Sequence, residues 1–311
     1  MIKQNRRVHA VIDGMVTHTE QHKINVFPVF EVNGDVDYSV GNIDFVGSVV
    51  IRGNVLPGFK IKAAGDIRIT GGIEAADVEA EGSITVREGI LGQNKGLVKA
   101  GKDIKSAFIQ EGNIEAGGNV HVSQSIMHSR VRARHQVNCQ GTKGLIVGGS
   151  IQAGESVSAR TIGNSISTHT VIEVGVLPEL RNELLELRNA LKLHLENMDK
   201  SSKALYLLDQ MAADGRLSPE RLAMRIKLNH SKKQLEETVD TVKERILEIE
   251  KSLENTDHAK VEVTSIIYGG TKVVVGRYTR FIKDQASRVL IRLVDGEIVM
   301  LSKFSPRGCP L

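Results

Sequence analysis

The sequence is poor in the residues that usually fill a globular core. It has no tryptophan, aromatic residues make up 4% of its 311 positions, and it has only 6 prolines and two cysteines. Cys139 and Cys309 lie far apart without the spacing of a metal site, so both are expected to be reduced thiols. No apolar run reaches the roughly 18 residues of a membrane-spanning helix. This composition favours a narrow interior lined by aliphatic side chains.

Charge gives no sign of a polyanion partner. The chain carries 41 Lys and Arg against 37 Asp and Glu, for a net charge of +4. Such a mixed balance does not predict binding to nucleic acid. The first seven residues, 1–7, are not followed by an apolar segment, so no signal peptide is expected. These features predict a cytoplasmic protein.

Glycine, in contrast, recurs with a fixed period. A glycine, a small polar residue and alternating aliphatic residues form one unit, which recurs at 47–51, 65–69, 82–86, 101–104, 118–122 and 149–153. The steps between units are 18, 17, 19 and 17 residues, followed by 31, which is close to two periods. A repeat of this length predicts a solenoid, in which each unit buries its apolar face against its neighbours.

Each period divides into three short strands. The unit from Asp66 contains the segments 66–69, 72–75 and 77–80, each with alternating apolar and polar residues. Glycine and small polar residues separate the segments, as expected at tight corners. The pattern predicts a mainly β fold, a triangular parallel β-helix over residues 41–177. Ile67, Ile84 and Val120 are expected to share one interior column.

Residues 178–256 have a different pattern, with apolar residues at alternating steps of three and four. Ser218 precedes Pro219 and Glu220, a sequence typical of a helix start. Heptads on both sides of a turn near Gly215 predict an antiparallel α-helical coiled-coil hairpin inserted into the β chain. Residues 1–40 are expected to supply N-terminal strands, as a cap or first turns. Residues 257–311 are expected to complete or cap the β-helix.

Three arginines are the candidate partner-binding site. Arg130, Arg132 and Arg134 alternate along one segment, so their side chains are predicted to leave the same face; we call them the basic stripe. Such a stripe suits acidic residues of a partner, anionic lipid or phosphate. No aromatic residues interleave with it for base stacking, so nucleic acid is not expected. The simpler interpretation is a solvated basic face.

Other residue sets do not form a site by their spacing. His121, His128 and His135 are the available general bases for a hexapeptide-repeat acyltransferase, but seven-residue spacing puts them on different faces of a 17-residue turn. The steps between inward aliphatic residues also vary from five to seven, whereas that left-handed helix requires sixes. Asp35, Asp37 and Asp44 lack the spacing of a metal site. We therefore predict no catalytic residue, metal or cofactor.

Several segments together resemble one bacterial family. Residues 34–47, the successive Gly-Asp/Ser/Asn-Ile/Val units, 148–151, 161–163, the 174–178 junction and the heptads are similar to the flagellar assembly protein A family. The resemblance implies a right-handed parallel β-helix with a coiled-coil arm. It also implies a relationship to the β-helical domain of the septum-site inhibitor and to the bactofilins.

The same resemblance implies a function. It indicates a non-enzymatic cytoplasmic scaffold for flagellar assembly or placement, recruited to a cell pole or a membrane-associated assembly. Its partners would be proteins of the flagellar or cell-pole machinery, with no membrane span; a homo-oligomer is left open. The alternatives are a polymer-forming, bactofilin-like cytoskeletal element and the hexapeptide-type acyltransferase.

Overall fold

Most of the described chain winds into stacked turns of short parallel strands. The structure is a computed structural model, and it describes residues 2–4, 7–9, 14–18, 24–213, 218–252 and 258–302. Two structural units emerge: residues 1–178 together with 256–311, and residues 179–255. Within the described residues the first unit contains the strands and the second contains the helices.

The strands are short, as the glycine spacing predicts. In chain order they are β1 (Ile2–Gln4), β2 (Arg7–His9), β3 (Met15–His18), β4 (Ile24–Phe27), β5 (Val29–Val32), β6 (Ile43–Phe45), β7 (Ser48–Ile51), β8 (Lys60–Ala63), β9 (Ile67–Ile69), β10 (Ile73–Glu74), β11 (Asp77–Ala80), β12 (Ile84–Val86), β13 (Gly89–Leu91), β14 (Val98–Ala100), β15 (Ile104–Gln110), β16 (Asn113–Ala116), β17 (Val120–Ala133), β18 (Gln136–Cys139), β19 (Leu145–Ala153), β20 (Ser156–Ile162), β21 (Thr170–Val174), β22 (Lys260–Ile267), β23 (Thr271–Val275), β24 (Tyr278–Phe281), β25 (Ala286–Val294) and β26 (Glu297–Ser302). Strands β5 to β26 belong to one sheet, while β1 pairs with β2 and β3 with β4.

Three columns of aliphatic side chains fill the interior, one for each face of the turn. The first-face column is Val49, Ile67, Ile84, Ile104, Val120, Val137, Val157 and Val261. The second-face column is Val36, Val55, Ile73, Ile90, Ile109, Ile126, Ile146, Ile162 and Ile267. The third-face column is Ile43, Ile61, Val78, Val98, Ile114, Val131, Ile151, Ile172 and Val273. The predicted mainly β solenoid, of about eight turns, is confirmed.

The glycine-polar pairs of the repeat form a corner that links successive turns. Asp66 accepts a hydrogen bond from the backbone N–H of Ser83 in the next turn, at 2.8 Å, and Ser48 accepts one from the N–H of Asp66, at 3.1 Å. Asp103 accepts the N–H of Asn119 in the same way, and this bond holds the pKa of the Asp103 carboxyl below its usual value because it favours the charged form. A polar side chain thus caps a donor one turn away.

At these corners, glycine stands immediately before the residue whose backbone N–H is capped. It stands there because a side chain at that position would not fit. A methyl group on Gly82 would overlap a carboxylate oxygen of Asp66 and come within 2.9 Å of the backbone of Gly65. The repeat is therefore a packing requirement of the corner, in which the glycine makes room for the cap from the preceding turn.

We expect Gly82→Ala to lower the free energy of unfolding by about 1–3 kcal/mol, because the corner must shift and weaken its cap. Thermal and urea melts followed by circular dichroism measure this. Gly34→Ala is the matched control: Gly34 has open space around its Cβ position, so this change is expected to be neutral or slightly stabilising. Equal effects of the two changes would contradict the packing explanation.

The solenoid resumes after the helices. β22 pairs parallel with β20, and β23 pairs parallel with β21, so residues 260–275 add one more turn to those before residue 178. β24 then pairs antiparallel with β23, and β25 antiparallel with β22 and β26. Parallel stacking therefore ends in antiparallel strands. At the other end, β5 already pairs parallel with β7, so the turns begin at Val29.

Two long helices form the second unit. They are α1 (Pro178–Ala213) and α2 (Pro219–Ser252). The turn predicted near Gly215 lies outside the described residues, as does Leu253, the last apolar residue of the predicted heptads. Among the buried and half-buried positions of each helix, one series recurs at steps of three and four: Leu184, Leu187, Leu191, His194, Met198, Ser201, Leu205 and Leu208 in α1, and Leu228, Lys232, Leu235, Val239, Val242, Ile246 and Ile249 in α2. Ion pairs join the helices at Glu183–Arg245, Arg188–Glu250 and Asp209–Arg225, each at 2.7 Å.

Candidate functional site

The basic stripe does not present three equivalent arginines. Arg130 and Arg132 lie on β17, whereas Arg134 follows the end of that strand. Arg130 and Arg134 are exposed, and Arg132 is half-buried. Only the two outer arginines of the basic stripe are therefore exposed, because Arg132 packs against its neighbours.

Arg132 belongs to a ladder of alternating charge on the third face. Facing outward in successive turns, the ladder consists of Asp44, Lys62, Glu79, Lys99, Glu115, Arg132, Gln152 and Glu173. Arg132 forms an ion pair with Glu115 at 2.9 Å and donates to the amide oxygen of Gln152 at 3.3 Å. Opposite charges directly across paired strands stabilise a sheet modestly. Arg132 is thus engaged within its own sheet.

Arg130 has different neighbours. In its column it lies between Asn113 of the preceding turn and Ser150 of the next, neither of which is charged. In contrast, Lys60 in the same column is paired with Asp77 at 3.3 Å. The guanidinium of Arg130 has no ion pair or hydrogen bond with another described residue. It lines a surface depression of about 550 Å³.

This corner depression, as we call it, lies where the second face bends into the third. Its polar side chains include Asn94, Glu111, Asn113, His128, Arg130 and His169. Glu111 and His128 occupy the same corner in successive turns, with φ angles of 49° and 48°. This left-handed conformation is uncommon for residues with a side chain, and it turns the chain sharply. The corner thereby directs side chains from separate turns toward one space.

The two histidines of the corner depression are held in different ways. A side chain on Gly148, one turn further, would overlap the ring of His128, so glycine there leaves room for the imidazole. His169 ends a loop in which the Asn164 side chain bonds both the backbone N–H and the hydroxyl of Thr168, at 2.9 and 2.8 Å. Fully buried Thr170 follows and anchors that loop.

The depression contains more donors than acceptors. Among the described residues that line it, Glu111 supplies the one carboxylate, which accepts a hydrogen bond from the side-chain amide of Asn94 at 3.4 Å. His128 and His169, like Arg130, make no hydrogen bond or ion pair with another part of the described chain. The Oδ1 atom of Asn113 is buried without a hydrogen-bond partner. Buried polar atoms are rarely left unpaired, so this atom is an exception within the described chain.

Sequence reasoning identified only part of this grouping. Arg130 and its neighbour His128 were recognised, but Asn113 and His169 were not. Asn113 precedes Arg130 by one turn, as 17 residues separate the paired positions. Applying the period to every polar residue near the stripe would have found Asn113. His169 gives no such signal, because its loop interrupts the repeat.

The remaining candidate groups are dispersed. His121 lies on the first face, paired with Lys105 and Asn138, whereas His128 and His135 lie beyond the second and third faces. Asp35 accepts the N–H of Asn54 at 2.6 Å. In the portions of the chain that the structure describes, no three His, Cys, Asp or Glu side chains gather closely enough to bind a metal.

Cys139 is buried, and its burial raises the pKa of its thiol to about 12. A thiol with so high a pKa is a poor nucleophile at neutral pH, because the thiolate is the reactive form. Cys309 lies outside the described residues. Over their described lengths, neither α1 nor α2 is apolar enough to cross a bilayer.

Comparison with known proteins gives one result. Residues 28–298 match the family described as the flagellar assembly protein A β-solenoid domain. No curated protein and no solved structure matches the chain significantly. The family match begins one residue before β5 and ends within β26, so it spans the stacked turns, both helices, β24, β25 and the first two residues of β26. The chain therefore belongs to the flagellar assembly protein A β-solenoid family.

Proposed function

We propose that this protein is a non-enzymatic cytoplasmic scaffold for the assembly or placement of bacterial flagella, recruited to a cell pole or a membrane-associated assembly. The family match over residues 28–298 carries the proposal, because the family is named for flagellar assembly. The dispersal of the three candidate bases His121, His128 and His135, and the unreactive thiol of Cys139, support a role without catalysis.

The helical unit is the first proposed docking element. In this proposal α1 and α2 pair as an antiparallel coiled coil. The ion pair from Glu183 to Arg245 joins the start of α1 to the end of α2, and Asp209 to Arg225 joins the end of α1 to the start of α2. His194 and Ser201 interrupt the apolar seam and leave it weaker there. A helix of a partner would find its contact along this hairpin.

The solenoid faces are the second proposed docking element. Strands stacked at about 4.8 Å present side chains at regular intervals, which suits a partner with a matching pattern of charge. Arg130 and Arg134 remain available for an acidic surface of a partner protein, while Arg132 supports the sheet. We further propose right-handed coiling, as the resemblance to the family implies.

One observation weighs against the polymer-forming alternative. Filaments of stacked solenoids need open ends, whereas β24 and β25 pair antiparallel with the last parallel turn and β26 extends that sheet. Such strands block the regular continuation of a parallel stack. The acyltransferase alternative lacks a convergent base, since the three histidines point from different parts of the turn.

We expect deletion of the gene to reduce or misplace flagella and to impair swimming without changing acyl-coenzyme A pools. Electron microscopy of cells and motility assays measure the first effects. Complementation with the intact gene is expected to restore flagella, and complementation with Arg130→Glu/Arg134→Glu to restore them only in part. Arg68→Glu/Lys105→Glu is the matched control, because these exposed cations lie on the first face.

Normal number and position of flagella in the deletion strain would refute the flagellar role. Turnover of acetyl- or succinyl-coenzyme A by the purified protein would refute the non-enzymatic role. Equal defects from the two charge reversals would mean that the basic stripe is not a specific contact, leaving the helical unit as the proposed contact.

A further inference from the structure

We propose that the corner depression binds a phosphate monoester or inorganic phosphate. The depression gathers Asn113, His128, Arg130 and His169 from three parts of the chain, and its volume of about 550 Å³ suits a small molecule. The inference does not depend on the flagellar role, since it follows from the chemistry of these side chains.

Arg130 is the principal anion-binding group. Its planar guanidinium donates two parallel hydrogen bonds to an oxyanion, and such charge-assisted bonds are the stronger kind. The neutral neighbours Asn113 and Ser150 leave it uncompensated, unlike Arg132, which is satisfied by Glu115. The imidazoles of His128 and His169 add N–H donors on the same depression.

A monoprotonated phosphate suits the depression better than other oxyanions, because it offers a hydroxyl group together with anionic oxygens. Sulfate and carboxylates offer only acceptors at neutral pH. Glu111, the one carboxylate among the described lining residues, repels a fully deprotonated anion and accepts a hydrogen bond from a P–OH group. It therefore also favours a protonated phosphate over sulfate.

The architecture supports a built site. Ser129, only 1% exposed, receives the N–H of Gly112 at 3.0 Å and donates to the carbonyl of Met127 at 2.7 Å. These bonds fix the floor beneath Arg130. A methyl group on Gly149 would overlap the carbonyl of Ser129, so glycine there keeps the next turn close to that floor. The ligating groups are thus held by backbone contacts of the solenoid itself.

Equilibrium dialysis with inorganic phosphate and with glycerol 3-phosphate, at constant ionic strength, tests the proposal on the full chain. We expect saturable binding of both, with sulfate binding more weakly. Arg130→Gln is expected to weaken phosphate binding about tenfold or more, as for loss of one charge-assisted contact. Arg134→Gln removes the same charge from the next exposed arginine and is expected to change affinity less than about twofold, within the ordinary effect of distant surface charge.

Thermal melts of both variants verify that each is folded, and His169→Gln serves as a second variant from a different element. It is expected to weaken phosphate binding without lowering the melting temperature. Absence of saturable phosphate binding would overturn the proposal. Equal affinity for sulfate, or equal losses in Arg130→Gln and Arg134→Gln, would also overturn it, because binding would then be unselective attraction to positive charge.

Discussion

Replacing Ile84 by aspartate is expected to unfold the solenoid or leave the protein insoluble. Ile84 is fully buried, between Ile67 of the preceding turn and Ile104 of the next. A carboxyl group there has no partner for its charge and breaks the first-face column in the middle. Burying an unpaired charge costs several kcal/mol, comparable with the whole free energy of unfolding of many domains. Soluble yield and far-ultraviolet circular dichroism measure the outcome.

The adjacent residue provides the control. Thr85 is exposed on the outside of the same strand, between Arg68 and Lys105 of the neighbouring turns. Thr85→Asp places the same carboxylate between two cations, so we expect a stable protein with an unchanged or slightly higher melting temperature. A folded Ile84→Asp protein, or an unfolded Thr85→Asp protein, would contradict the assignment of inside and outside on this face.

Ending the chain after residue 177 is expected to cause aggregation. This truncation removes the helical unit, the turn formed by residues 260–275 and the antiparallel strands after it. The backbone groups of β20 and β21 that pair with β22 and β23 would then be exposed. Unpaired parallel strands offer an edge for pairing between molecules. Size-exclusion chromatography with light scattering measures the oligomers.

Excising only the helices is expected to have little effect on the solenoid. A short Gly/Ser linker in place of residues 180–254 keeps β22 to β26 and therefore keeps the last turn. We expect a soluble, β-rich product that unfolds cooperatively. Loss of cooperative unfolding would mean that the helices belong to the solenoid core. A monomeric, stable product truncated after residue 177 would mean that residues 258–302 do not protect the sheet edge.

The features that were predictable from the sequence are those with a local cause. Gly65-Asp66 and Gly82-Ser83 mark corners because each glycine must accommodate the cap of the preceding turn. The alternation around Ile67 and Ile84 follows from the period of two in a strand. The step of three and four in α1 and α2 follows from helix geometry. The strand and helix rules act within a few residues, and the corner rule recurs at every turn, so the solenoid and its helical insertion could be derived.

The basic stripe shows where that reasoning ends. The spacing of Arg130, Arg132 and Arg134 suggests three like side chains on one face, because it considers a strand alone. Charge compensation depends on the turns above and below, and only the register brings Glu115 opposite Arg132 while leaving Asn113 opposite Arg130. One turn separates the paired positions by 17 residues from Asn113 to Arg130 and by 20 from Arg130 to Ser150. An average period cannot resolve which charges meet.

By itself the sequence determined a three-sided solenoid with an inserted pair of helices, because glycine corners and apolar periods are local and repeated. Only the tertiary structure decided that Arg132 is neutralised, that β24 and β25 run antiparallel to the last turn with β26 antiparallel to β25, and that His169 joins Arg130 at one depression. The physical reason is the variable length of the corners. Each residue inserted at a corner changes the sequence separation between side chains that meet in successive turns, while the inward columns stay aligned because burial keeps the strands in register.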